Sequence, residues 1–241
     1  MIFLRSTLFN LTFFAVGLAL TIAGSVVRLI DPDRVMDVAR LWARVNVAAL
    51  RLICGIRLEV TGVEHLPPGA ALIASAHQSA FDTMVWLTLV PRCCYVLKHE
   101  LVRIPLFGKL ILACGMIAVK RYGGAASLRH LLREGDRAMQ EARQIVIFPE
   151  GTRSPAGVLL PLQPGVAALA ARTGLPVIPV VTDSGYCWGR RAFRKRPGVI
   201  SIVIRPPLPV GMRREDLLET LRQALVRRPE DPPRPGDNSV G

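Results

Sequence analysis

Residues 6–27 of this chain contain no charged side chain. The run lies between Arg5 and Arg28 in MIFLRSTLFNLTFFAVGLALTIAGSVVRLI, and its 22 residues suffice to cross a hydrocarbon core of roughly 30 Å as a helix. A cleaved signal peptide is the rival reading, with Ala23, Gly24 and Ser25 as its small residues, but the run exceeds the usual apolar core of such a leader and is read as retained. Asn10, Thr12 and Gly17 interrupt it. The next segment, residues 35–58, spaces Arg40, Arg44 and Arg51 among apolar residues, so one helix face is oily and the other cationic. Such a helix suits an anionic headgroup layer, and it equally suits packing on a globular domain. A true span and a helical hairpin dipping into one leaflet are both consistent with this pattern. Residues 1–54 are therefore assigned to membrane-associated helices, 55–228 to one globular domain and 229–241 to a disordered tail, since PEDPPRPGDNSVG has too little apolar surface to order itself.

The formal net charge of +13 calls for an anionic partner: nucleic acid, lipid headgroups or a phosphorylated small molecule. Only four lysines, at 98, 109, 120 and 195, stand among the 31 basic residues, and the arginine excess reads first as genomic bias. The five cysteines, at 54, 93, 94, 114 and 187, form no CxxC pair, which points to buried thiols in a reducing compartment. His65, His77, His99 and His130 show no paired ligand spacing, so neither a metal nor a cofactor is expected.

Beyond residue 55, short apolar runs alternate with amphipathic ones. RLEV, ALIASA, CCYVL, MIAV, QIVIF, PVIPVV and VISIVI read as strands, and five intervening segments read as helices. The alternation predicts an α/β fold, a largely parallel sheet flanked by helices, with chemistry in the loops beyond the carboxyl ends of strands. Two prolines in PVIPVV predict an edge strand or a groove wall, because proline cannot donate to the ladder.

Four segments fall where a site is expected. HQSAFD places His77 just after a strand and Asp82 near a helix start. Along one helix five residues would set them about 140° apart, so contact requires the turn. Given that turn, Asp82 accepts a hydrogen bond from the N–H of one ring nitrogen and leaves the other nitrogen free as a base. FPEGTRS follows a buried strand: Gly151 lets the backbone turn, Arg153 offers a planar fork for phosphate, and Thr152 and Ser154 add hydroxyls. GMIAVKR ends a third strand in Lys120 and Arg121. GRRAFRKRPG sets five cations within residues 190–196 beside Trp188 and Phe193, a patch that fits lipid headgroups and nucleic acid alike.

Jointly, HQSAFD, GMIAVKR, FPEGTRS and LPVIPV, in that order, resemble the four motifs of the 1-acylglycerol-3-phosphate O-acyltransferase family of glycerolipid acyltransferases. KHEL at 98–101 and WGRRAFRKRPG are also similar to connecting segments of bacterial members, so the resemblance covers roughly residues 50–210. Ala118 and Asp183 depart from common family residues and bear on substrate preference. The resemblance implies an enzyme of phospholipid biosynthesis. It would move a fatty acyl group from acyl-CoA or acyl carrier protein to the sn-2 hydroxyl of 1-acylglycerol-3-phosphate, giving phosphatidic acid. His77 and Asp82 would be catalytic, and Lys98, Arg121, Glu150, Gly151, Thr152 and Arg153 would bind substrate. The implied partners are a lysophospholipid, an acyl thioester and the membrane, with no nucleic acid. The implied location is a bacterial inner membrane with the catalytic domain on the cytoplasmic face. Another lysolipid acceptor, such as lyso-ornithine lipid, keeps the same chemistry, and a non-catalytic basic membrane-binding protein is the alternative outside enzymology.

Overall fold

The structure, a computed structural model, describes residues 1–121, 123–228 and 230–232. The chain opens with α1 (Ile2–Ile30) and α2 (Val35–Ala49), packed on each other as a hairpin. The oily and cationic helix stops short of Leu58. A π-helical turn, Leu50–Cys54, ends at Gly55 with φ +70°, and strand β1 (Ile56–Thr61) begins there. Val35, Ala43 and Ala49 are buried, so α2 packs on the globular domain.

All seven expected strands form. With β1 they are β2 (Ala71–Ser75), β3 (Cys93–Lys98), β4 (Ile117–Val119), β5 (Gln144–Ile147), β6 (Val177–Thr182) and β7 (Gly198–Ile204), in the order β1-β7-β6-β2-β5-β3-β4. Among the described residues every pairing is parallel except β6 with β7. The remaining helices are α3 (Asp82–Leu89), α4 (Phe107–Ala113), α5 (Gly124–Gln140), α6 (Gly165–Thr173), the single turn α7 (Ser184–Cys187) and α8 (Arg214–Ala224).

Side chains alternate across the sheet with period two, and both faces are covered, which is why the central strands read as continuous apolar runs. Ile73, Val146, Ile178 and Ile200 face α1, α2 and α3, where Phe9, Phe81 and Trp86 are buried. Leu72, Ile145 and Val177 face α5, α6 and α8, meeting Leu131, Leu169 and Leu221.

The expectation of an edge strand for PVIPVV is corrected: β6 lies inside the sheet, between β7 and β2. Pro179 is tolerated because its carbonyl, and hence its missing N–H, faces β7 where that strand stops. Arg205 donates to the Pro179 oxygen at 2.9 Å, and the reciprocal bond is the one the ring removes. Of the expected tail, Asp231 is buried and accepts from Arg205 at 2.7 Å, while residues 229 and 233–241 lie outside the described residues.

At the opposite edge, Arg143 holds β3 and the approach to β4 together. Its guanidinium is largely buried and donates to the carbonyls of Cys93, Cys114 and Gly115 at 2.8, 2.6 and 3.1 Å. This contact explains the glycine of GMIAVKR: Gly115 has φ +65°, and a Cβ there would sit 1.9 Å from Arg143 Nη1. Arg143→Met retains the stem and removes this donor from the buried carbonyls of Cys93 and Cys114, leaving the half-buried Gly115 carbonyl only its contact with Cys94 Sγ at 3.2 Å. We expect it to lower unfolding stability by about 3 kcal/mol, read from denaturant midpoints in detergent. A shift within 0.5 kcal/mol, roughly the range of an ordinary surface substitution, would refute the brace.

Candidate active site

The site forms where β2 and β5, neighbours in the sheet, end side by side. The chain leaves β2 at Ser75, turns through residues 76–81 and enters α3 at Asp82. That turn brings Asp82 back onto His77: Nδ1 of His77 lies 3.1 Å from Asp82 Oδ2. The same oxygen accepts the backbone N–H groups of Gln78 at 2.7 Å and Ser79 at 2.8 Å. One carboxylate oxygen thus closes the turn and orients the imidazole. With Nδ1–H donating to the carboxylate, Nε2 carries the free lone pair. Asp82 is 1% exposed and His77 8%, so the ion is shielded while the ring keeps an opening.

The FPEGTRS loop grips the histidine from the other side. Phe148 stacks on the His77 ring, with centroids 4.0 Å apart and planes 18° apart, and Tyr95 stacks beyond Phe148 at 6.1 Å. Glu150 accepts the His77 backbone N–H at 3.2 Å through one oxygen and the Leu160 N–H at 2.9 Å through the other. Ser154 returns both its N–H and its hydroxyl to the His77 carbonyl, at 2.7 and 3.1 Å. Glu150 is 3% exposed and its carboxylate is committed to backbone, so the structure sets it as a brace inside the loop, apart from the solvent-facing members of the expected substrate-binding group. Burial pushes its pKa up, and the two N–H donors partly restore it. Gly151, with φ +68°, makes the bend its neighbours require.

The expected substrate-binding cations separate. Arg153 is half-buried near the dyad. Burial pulls its pKa down, the Asp82 carboxylate pushes it back up, and the charges of Arg190 and Arg191 lower it again. Thr152 is half-buried in the same loop. Lys98 ends β3, one strand beyond β5, is exposed and pairs with Glu100 at 3.6 Å. Arg121 follows β4, three strands from β2, or about 14 Å at the usual spacing. There it lines a cleft of about 320 Å³ with His99, Arg103 and Lys120. Asp183 is buried and accepts from Ser201 N at 2.7 Å and Arg227 at 3.1 Å, so this family departure staples β6 to β7 and to the segment after α8. Ala118 is buried in β4.

Three site features escaped the sequence reading: the Phe148 stack, the link from Gln78 Oε1 to the Gly185 N–H at 3.1 Å, and the approach of Arg190 and Arg191 to Arg153. Phe148 opens the FPEGTRS motif and is the most legible of these. The other two join segments more than thirty residues apart.

A buried His–Asp pair beside an arginine, on a mostly parallel sheet, defines an α/β fold equipped for proton abstraction next to an anion. Residues 57–183 match the family model described as Acyltransferase, and the chain belongs to that family. It is 35% identical over 171 residues to a 1-acyl-sn-glycerol-3-phosphate acyltransferase of Pseudomonas aeruginosa, covering 71% of this chain and 66% of that one, just under two thirds of its length. A protein of the same description from Limnanthes alba is 31% identical over 201 residues, covering 81% and 71% of the two chains. The crystal structure of the 1-acyl-sn-glycerophosphate (LPA) acyltransferase PlsC from Thermotoga maritima superposes with a TM-score of 0.72. It shares 22% identity and covers 93% of this chain and 95% of its own, which establishes the shared fold.

Asp82→Asn must keep its carbonyl oxygen where Oδ2 stands, to accept the Gln78 and Ser79 N–H groups, so it still holds the turn and Nδ1–H but supplies no negative charge to steady an imidazolium. Turnover should fall by about 10²- to 10⁴-fold with unchanged circular dichroism. Turnover within threefold of the parent would remove the role of that charge.

Proposed function

We propose that this protein transfers a fatty acyl group from an acyl thioester to the sn-2 hydroxyl of 1-acylglycerol-3-phosphate, yielding phosphatidic acid. The observation that carries the reading is the His77–Asp82 contact, with Nε2 of His77 left free at the end of β2. The names of the relatives from Pseudomonas and Limnanthes support the choice of acceptor.

In this mechanism Nε2 removes the hydroxyl proton as the oxygen attacks the thioester carbonyl. Asp82 steadies the imidazolium. The tetrahedral adduct collapses, the carbon–sulfur bond breaks, and the departing thiolate takes the proton from His77. A positioned base is worth about 10²- to 10⁴-fold, and the rest comes from holding two substrates together. Arg153 binds the acceptor phosphate, since its fork matches phosphate oxygens and it lies beside the dyad. Gly151 and Thr152 shape the same wall, Glu150 braces it, and Arg121 and Lys98 supply positive charge at neighbouring strand ends for the substrates' phosphates.

The protein works at a membrane surface in this reading. Leu4, Leu8, Leu11, Leu18, Ile22 and Leu29 of α1 are exposed along one helical stripe, which suits lipid and is costly in water. The helix is held along its length, with Ser6 and Phe9 buried at one end and Gly24 against Leu110 of α4 at the other. A helix tied to the domain at both ends lies in the plane of the interface with its stripe in one leaflet. The donors, coenzyme A or acyl carrier protein thioesters, are cytosolic, and all five cysteines are free and buried, which fits the cytoplasmic face of a bacterial inner membrane.

Purified protein offered a panel of lysolipids with each donor should consume thioester in proportion to lysophosphatidic acid. His77→Ala should abolish transfer without releasing the protein from membranes, and Arg153→Lys should raise the acceptor KM about tenfold. Equal rates with lysolipids lacking a terminal phosphate would point instead to another acceptor, and an active His77→Ala variant would overturn the mechanism.

A further inference from the structure

Lys195 is 2% exposed, although it belongs to the most cationic stretch of the chain. Its ammonium donates to Asn10 Oδ1 of α1 and to the Phe193 carbonyl at 2.9 Å, and lies over the Trp188 ring at 4.7 Å, with Phe9 and Phe193 at 5.5 and 5.7 Å. Its backbone N–H donates to Ser6 Oγ, also of α1, at 2.9 Å. Ser6 and Asn10 are one turn apart on a single face. Asn10 is one of the residues that interrupt the apolar run of α1, and both it and Ser6 meet one lysine. A buried ammonium is tolerated only where such partners replace water.

The loop that carries Lys195 is closed at its base by Arg196 N–H donating to the Cys187 carbonyl at 2.8 Å. Between those points stand Arg190 and Arg191, whose charges reach Arg153, and Arg191 holds a left-handed φ of +56° that a side chain adopts only when its surroundings impose it. The base of the loop is thus pinned twice, by Arg196 to Cys187 and by Lys195 to α1, and α7 just before it rests on the dyad turn through the Gly185 N–H to Gln78 Oε1 at 3.1 Å.

We propose that Lys195 is a positioning residue. By locking α1 to this loop it keeps Arg190 and Arg191 beside Arg153, so that these two arginines complete the phosphate-binding wall and the seat of α1 sets acceptor affinity. The inference rests on the reading of Arg153 as the acceptor-phosphate residue.

The test compares Lys195→Met and Asn10→Leu with the parent by hydrogen exchange in lipid nanodiscs and by kinetics with vesicle-borne lysophosphatidic acid. Both variants should lose protection together in residues 2–14 and 188–197 while residues 71–76 stay protected. The acceptor KM should rise about tenfold, equivalent to roughly 1.4 kcal/mol, with kcat and donor KM within twofold. Arg190→Ala with Arg191→Ala should reproduce the KM change without the exchange change. Unaltered exchange in 188–197, or altered exchange with an unchanged acceptor KM, would overturn the proposal. Should Lys195→Met lose protection throughout, Asn10→Leu decides by the same two readings. A parent protein that shows no lysophosphatidic acid-dependent transfer refutes the activity reading, and the exchange comparison still decides whether the lock exists.

Discussion

A single oxygen, Oδ2 of Asp82, receives His77 Nδ1 and the N–H groups of Gln78 and Ser79. The turn between β2 and α3 has its shape because those donors must converge there, and the imidazole has its orientation because it is one of them. Backbone closure and the alignment of the imidazole are therefore one event. Glu150 and Ser154 extend the same economy across the sheet, since their bonds go to the backbone of His77. The two strand ends cannot drift apart without leaving buried donors or acceptors unpaired, which costs about 1–3 kcal/mol each.

The same logic appears on a larger scale in α1. A wholly apolar helix would have no preferred depth or rotation against the domain. Ser6 and Asn10 supply both by meeting Lys195, while Phe9 and Phe13 pack edge-on against Trp188. Polar residues inside an oily helix thus specify where it docks, and the leucine stripe stands exposed on the opposite face.

Much of the fold was legible in the sequence. The strands and the helices of the globular domain follow from runs of apolar residues whose period matches a sheet buried on both faces. The edge assignment for β6 failed because a proline was judged by its own strand, whereas the missing donor is tolerated only because β7 happens to end opposite it. The extent of the cationic helix failed for a related reason, since Gly55 and the pairing of β1 with β7, whose partners such as Ile56 and Gly198 are far apart in the chain, decide where helix gives way to strand.

Local order also determined the dyad, for five residues of turn bring His77 and Asp82 together, and the apolar runs before HQSAFD and FPEGTRS predicted that both would stand at strand ends. Strand order, which no local pattern encodes, put those two ends side by side and set Arg121 three strands away from them. It likewise left Arg153 with Arg190 and Arg191 and turned Lys195 inward. Contacts between segments that are remote in the chain depend on which strands become neighbours, and that choice is made by how well whole faces pack, a property of the assembled layers.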